Sequence, residues 1–273
     1  MVLSSLSFAA MNLCIKFLPG IPFYEIVLFR AVVSLIISYY LLKRARISIW
    51  GNNKKLLIAR GLFGFVSLTL YFYTVKEIQL ASAVTLQYLS PIFTTLFAVF
   101  ILGQKVKWLQ ILFFALAFYG VFLIKDFDST VDTKLLLLGI ASAIFSGLAY
   151  NMIAKLKGQD KPLVIVFYFP LVTIPLIAPY TLFNFIMPTW VELVLLILTG
   201  IFTQIAQILM TKAYQTDKAA NISILTYLGL VYALILGKFV LNETYTSMTL
   251  VGMGLIVAGI LANILYSRRA NKT

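Results

Sequence analysis

Apolar runs of about twenty residues follow one another along almost the whole chain, separated by short polar or proline-bearing turns. A helix needs about 20 mostly apolar residues to cross the roughly 30 Å hydrocarbon core of a bilayer. On that length the pattern predicts ten helices, at 1–18, 22–42, 56–75, 81–102, 106–124, 135–154, 162–187, 190–211, 219–241 and 247–267. The runs are too long for the alternating strands of a membrane barrel, which span about 9–11 residues. The segment 162–187 is the least regular, because Pro170, Pro175 and Pro179 each remove a backbone donor. The longest polar stretches are Lys43 to Lys55 and Lys125 to Lys134, which leaves no soluble domain of useful size between the spans. Met1 to Ser5 carries no basic residue, and Leu18-Pro19-Gly20 is a poor cleavage site. The first segment therefore reads as a genuine span rather than a cleaved signal.

Composition agrees. Hydrophobic residues make up 62% and charged residues 11%, against about 45–50% and about 25% in soluble domains. A single cysteine excludes a disulfide framework and a cysteine-rich metal site. The absence of histidine removes the commonest metal ligand and general base. A net charge of +13 would suggest a nucleic-acid partner in a soluble protein. Here topology accounts for it. With the N-terminus inside, sixteen basic residues, Lys43, Arg44 and Arg60 among them, fall on the inner side. Only Lys76, Lys125 and Lys134 fall outside. The positive-inside rule then puts both termini in the cytoplasm of a cell (inner) membrane, and no nucleic acid is called for.

The chain also repeats itself. A shift of 139 residues carries Ser7, Ala10, Asn12 and Lys16 onto Ser146, Ala149, Asn151 and Lys155. It carries Gly61, Phe63, Ala81, Tyr88 and Gly120 onto Gly200, Phe202, Ala220, Tyr227 and Gly259. Between these stretches a one-residue adjustment pairs Pro22 with Pro162 and Phe29 with Phe169. The repeats are predicted at 1–134 and 135–273, five spans each. Five is odd, so the second copy enters the membrane from the opposite side. Inverted repeats are an architecture of alternating-access transporters, with the substrate near the midplane. A duplicated scaffold or a membrane enzyme of the same symmetry stays open.

Particular residues carry a family likeness. Arg60-Gly61, Tyr71-Phe72-Tyr73, Leu80-Ala81-Ser82-Ala83, Leu89-Ser90-Pro91-Ile92-Phe93 and Leu102-Gly103 resemble the signature of EamA-type members of the drug/metabolite transporter superfamily. Met11-Asn12, Lys16, Glu25 and Phe29-Arg30 are similar to its opening. The second half repeats the signature more loosely, at Ala219-Ala220-Asn221, Tyr227-Leu228-Gly229 and Leu241-Asn242-Glu243. The chain departs from it with Gln79 for the usual proline, Gln104 for the usual glutamate, and Leu230 opposite Pro91. The resemblance implies ten helices, all α, in two EamA-like halves, and a carrier of small molecules without a cofactor. The first half is most similar to the branch that includes S-adenosylmethionine carriers.

Charged or polar groups inside the bilayer are costly and are the natural candidates for function. Arg30 lies about eight residues into the second span, roughly 12 Å deep. Substrate or gate contact and helix-to-helix bonding are equally open for it. Lys16 and Glu25 flank the first outer turn, where an ion pair between them is expected and a gating or coupling role is open. Gln204, Gln207 and Thr211 share one face of the eighth span. They suit a polar ligand or interhelical hydrogen bonds. The resemblance places Tyr88 and Tyr227 in spans that line the cavity, with Gln87 and Thr226 before them. An aromatic face can stack on a planar ring or attract a cation. Pro91, one turn on, predicts a kink beside the cavity. Asn12 and Asn151 touch ligand or tie helices.

No phosphate-binding loop is present, so direct ATP use is excluded. Uniport, counter-substrate exchange and weak proton coupling all fit. The resulting expectation is a secondary transporter for an amino acid or nucleoside-like metabolite, S-adenosylmethionine-like cargo included, acting as monomer or homodimer. A non-transporting scaffold or sensor subunit, or an intramembrane enzyme, is the alternative.

Overall fold

The computed structural model describes residues 1–103, 108–128, 131–216 and 228–270. These form α1 (Val2–Lys16), α2 (Phe23–Arg44), α3 (Lys54–Glu77), α4 (Leu80–Gln87), α5 (Ser90–Leu102), α6 (Trp108–Phe127), α7 (Thr133–Lys155), α8 (Pro162–Phe183), α9 (Trp190–Thr216), α10 (Leu228–Phe239) and α11 (Ser247–Ala270). Seven spans among the described residues are long and apolar enough to cross a membrane, with α4 and α5 counting as one. The shorter apolar helices α1, α6 and α10 complete ten.

Local chemistry fixes several boundaries. Asn53 caps α3 by accepting from the Leu56 N–H, and Asp132 caps α7 by accepting from the Leu135 N–H. Thr189 and Glu192 form a reciprocal capping box at the start of α9. Gly103, at φ 68°, ends α5 in a left-handed conformation that a side chain would disfavour. The fourth span breaks where Pro91 predicts a kink. It stops at Tyr88 and Leu89 and resumes at Ser90, because Pro91 has no N–H to offer the preceding turn. The seventh span is a single helix, as expected, continuous through Pro170, Pro175 and Pro179, but it ends at Phe183 rather than near 187. Asn184 turns its amide back onto the Tyr180 carbonyl there.

The duplication is written into the packing. Helix α1 packs on α9 as α7 packs on α3, and α2 packs on α9 as α8 packs on α3. Helices α2 and α8 meet each other, as do α6 and α11. Individual contacts obey the same exchange. A Cβ on Gly61 would lie 2.7 Å from Val172, and one on Gly200 would lie 2.5 Å from Val33. Gly120 approaches the Gly252 carbonyl at 2.5 Å on the same measure, and Gly259 approaches the Phe113 carbonyl at 2.6 Å. All four contacts keep the 139-residue shift. The register therefore holds at Val33 and Val172, inside the stretch where the sequence asks for a one-residue adjustment. The two five-helix repeats are inverted copies of each other.

The bundle has two faces. One carries Met1 and the α2–α3 and α7–α8 turns, and is called the Met1 face. The other carries Lys16, the α8–α9 turn and the segment between α10 and α11, and is called the Lys16 face. Large apolar side chains such as Phe100, Leu182 and Phe183 point outward, as lipid contact requires. All three tryptophans, Trp50, Trp108 and Trp190, are exposed at span ends, where amphipathic rings favour the interface.

Candidate functional site

A cavity of about 160 Å³ lies between the repeats. Its walls come from α1, α3 and α4 on one side and α7, α9 and α10 on the other, with Phe169 of α8 closing a flank. On α3, Arg60, Gly64, Ser67 and Tyr71 form one stripe along the cavity, spaced four, three and four residues apart. The α1 stripe runs from Met1 through Ser5 and Phe8 to Asn12.

The polar lining is tightly organised. Gln87 donates to Ser146 Oγ at 2.6 Å and accepts from Ser142 Oγ at 2.7 Å. Ser67 joins Ser146 at 2.6 Å, hydroxyl to hydroxyl. Asn12 donates to the Tyr71 hydroxyl at 2.9 Å. Such networks hold their donors in fixed directions before any ligand arrives. Tyr88, at the break between α4 and α5, presses its hydroxyl against Gly229 at the start of α10.

Two arginines sit beside this network. Arg60 is 3% exposed. It places its guanidinium 4.8 Å from the Phe169 ring centroid and makes one long contact, 3.5 Å, to Gln207 Oε1. Arg30 is 1% exposed and lies 4.8 Å from the same ring, with its Nε donating to Thr203 Oγ1 at 3.0 Å. Phe169 thus receives both cations. Among the described residues neither arginine meets a carboxylate, and the one ion pair joins Lys16 to Glu243.

That ion pair lies at the Lys16 face. Lys16 Nζ is 3.6 Å from Glu243 Oε1 and donates to the Ile78 carbonyl at 2.5 Å. The two carboxylate oxygens of Glu243 accept from the Leu80 N–H at 2.9 and 3.0 Å, so the acid caps α4. Tyr245 donates to Glu243 Oε2 at 2.6 Å, and Gln79 donates to the Thr244 carbonyl at 3.0 Å. Burial, then the adjoining Glu243 carboxylate, push the Tyr245 hydroxyl well above the usual tyrosine range. Beneath this cluster Ile15, Leu18, Ile21 and Ile78 are fully buried. The described cavity lining stops at Asn12, Tyr71 and Val84, short of this face. It continues to Met1 at the other.

The residues singled out by sequence divide by place. Tyr88, Gln87, Asn12 and Gln207 meet at the cavity. Arg30 stands one ring behind the wall. Gln204 donates to Ser38 Oγ at 2.7 Å, between α9 and α2 and outside the lining. Asn151 ties α7 to α5 through the Thr94 carbonyl at 2.9 Å. Pro91 lies just past the break in the fourth span. Tyr227, with Thr226, lies outside the described residues. The expected Lys16–Glu25 pair does not form. Glu25 turns toward the α8–α9 segment and accepts from the Ile186 N–H at 3.2 Å, leaving Lys16 to Glu243.

Sequence reasoning did not pick out Arg60, Tyr71, Tyr150 and Phe169 as site residues, and all four line the cavity. Arg60 counted as a loop cation although it falls inside the predicted third span. The stripe it begins was the signal.

A model of the EamA-like transporter family matches residues 1–125 and again 133–265. The chain belongs to the EamA-like transporter family. The two matched stretches fall one on each of the two inverted copies. The chain is 28% identical over 267 residues to a pseudopaline exporter of Pseudomonas aeruginosa, covering 96% of this chain and 93% of that protein. It is 27% identical to human solute carrier family 35 member G1, over 94% and 75% of the two chains. It is also 27% identical to an S-adenosylmethionine uptake transporter of Rickettsia prowazekii, over 78% and 72%. A solved crystal structure superposes with a TM-score of 0.67 over 98% of each chain at 17% identity, which is a likeness of fold. The protein is therefore a multi-pass membrane protein of a transporter family.

Proposed function

We propose that this protein is a secondary carrier, not an enzyme, that moves a small amino-acid-like or nucleoside-like metabolite across the cell (inner) membrane by alternating access. The observation that carries this reading is the cavity between inverted repeats. Its described lining stops short of the Lys16 face, where Glu243 is paired with Lys16 and the start of α4, and it reaches Met1 at the other. Exchange of the two repeats' packing would shut the opposite face around the same polar lining. With Arg60 assigned to the cavity, the remaining fifteen-to-three excess of basic residues supports a cytoplasmic Met1 face. On that orientation the described conformation faces inward. Relatives named as carriers of pseudopaline and of S-adenosylmethionine support a small, polar, multifunctional cargo.

Reconstitution into liposomes tests it. Vesicles preloaded with one metabolite of an amino-acid and nucleoside panel should accumulate the labelled form of the same compound by counterflow. Repeating the assay with an imposed pH gradient separates proton coupling from exchange. No exchange of any panel member would overturn the carrier reading in favour of a scaffold or sensor.

A further inference from the structure

Arg60 lines the cavity, yet its Nε and Nη1 have no hydrogen-bond partner while fully buried. Its remaining contact, to Gln207, is at the limit of hydrogen bonding. Arg30 behind it also leaves Nη1 unpartnered. A buried, unpaired guanidinium is expensive, and two around one aromatic ring add mutual repulsion. Phe169 offers its face to both, which compensates part of the charge and leaves the hydrogen-bonding edges free. A planar guanidinium edge presents paired N–H donors whose spacing matches a carboxylate. Among the described residues no Asp or Glu lines the cavity, so none of them competes for those donors. Phe8, Met11, Leu68 and Met210 supply apolar wall for the body of a ligand.

We infer that the transported metabolite carries a carboxylate, and that this group docks on the free edge of Arg60 with Gln207 beside it. The inference rests on the carrier reading and specifies its substrate class. Arg30 takes no direct contact. It is a positioning residue, whose charge raises the local potential and whose packing holds Phe169 in place. Amides and esters of the same compound leave the guanidinium unpaired and are rejected.

The test uses the full-length protein in detergent and matched probes that differ at one group: L-methionine against L-methioninamide, succinate against succinamide, and benzoate against benzamide. Calorimetric titration should show at least one acid binding, with its amide at least about thirtyfold weaker, the loss typical when a buried charged partner goes unpaired. Arg60→Gln should erase the acid's advantage, and Arg60→Lys should keep part of it. Binding of no acid, equal binding of acid and amide, or undiminished acid binding by Arg60→Gln would overturn the inference. The acid–amide comparison is made on the unaltered chain and stands whether or not a variant folds. Counterflow separates this from the carrier reading. Exchange of a neutral or cationic metabolite, undisturbed in Arg60→Gln, would keep the carrier and discard the carboxylate. Acid binding without exchange would do the reverse.

Discussion

Arg30 stacks on the residue that replaces it in the other repeat: its guanidinium lies 4.8 Å from the ring centroid of Phe169, which the 139-residue register sets opposite Arg30. The contact sits where α2 and α8 cross, on the axis that relates the two halves. Phe169→Leu removes a face used by both buried cations. A desolvated cation–π contact contributes about 2 kcal/mol. Chemical unfolding in mixed micelles should show at least that loss, and a double-mutant cycle with Arg30→Met should return a clear coupling. Simple additivity would mean that the ring only fills space.

Arg60 without ligand is a charge the fold tolerates rather than uses. Arg60→Met should therefore raise the stability of the ligand-free protein, by about 1 kcal/mol or more, while transport is lost. A residue with a purely structural role would show the opposite sign. Melting curves of wild type and variant, taken without ligand, decide it.

Glu243 joins Lys16, the start of α4 and Tyr245 in one knot. Hydrogen bonds to a charged group contribute about 1.5–3 kcal/mol each. Glu243→Gln should raise the population open at the Lys16 face roughly tenfold. The reporter is Leu68→Cys in a Cys14→Ser background, since Cys14 is the sole native thiol. A membrane-impermeant thiol reagent applied to the Lys16 face should label it faster in Glu243→Gln. Unchanged labelling would show that the knot does not gate.

Tyr245 gives a pH signature. Its hydroxyl is held above the ordinary value in the folded state, by burial first and by the Glu243 carboxylate next. A raised tyrosine contributes stability that is intact below its unfolded value of about 10 and is lost as pH rises beyond it. Tyr245→Phe should be the less stable protein at pH 8, and the gap should close above about pH 10. A gap independent of pH would contradict the shift.

The two mirror contacts of Gly61 with Val172 and Gly200 with Val33 make a paired prediction. Ala at either glycine forces its Cβ into a valine, a typical overpacking cost of about 1–3 kcal/mol. Val172→Ala should rescue Gly61→Ala, and Val33→Ala should rescue Gly200→Ala, with crossed combinations giving no rescue. Thermal unfolding of the six variants reads the result.

Much of this frame was legible in the sequence because span length, basic asymmetry and the 139-residue repeat each rest on simple physics. The hydrophobic pattern could not locate the break at Tyr88, since residues on both sides are apolar. Partners were harder still. Lys16 and Glu25 are close in sequence, yet Lys16 meets Glu243, more than two hundred residues away, because the inverted halves bring α1 beside α10. Arg60 was hidden by its position near a span end, where a cation ordinarily reaches headgroups. Only the cavity turns it into a candidate.

The knot at Lys16 also sets a direction. In the 139-residue register Lys16 corresponds to Lys155, and Glu243 corresponds to Gln104. A rearrangement that closed the Met1 face by the same contacts would offer lysine a neutral amide instead of an acid. On the carrier reading the two resting states of a symmetric frame would then be unequal in energy, the one with the Lys16–Glu243 pair intact being the lower. Each crossing to the other state would be uphill by the difference between an ion pair and an amide contact. Cargo must bind the less populated state more tightly to carry the cycle over that step.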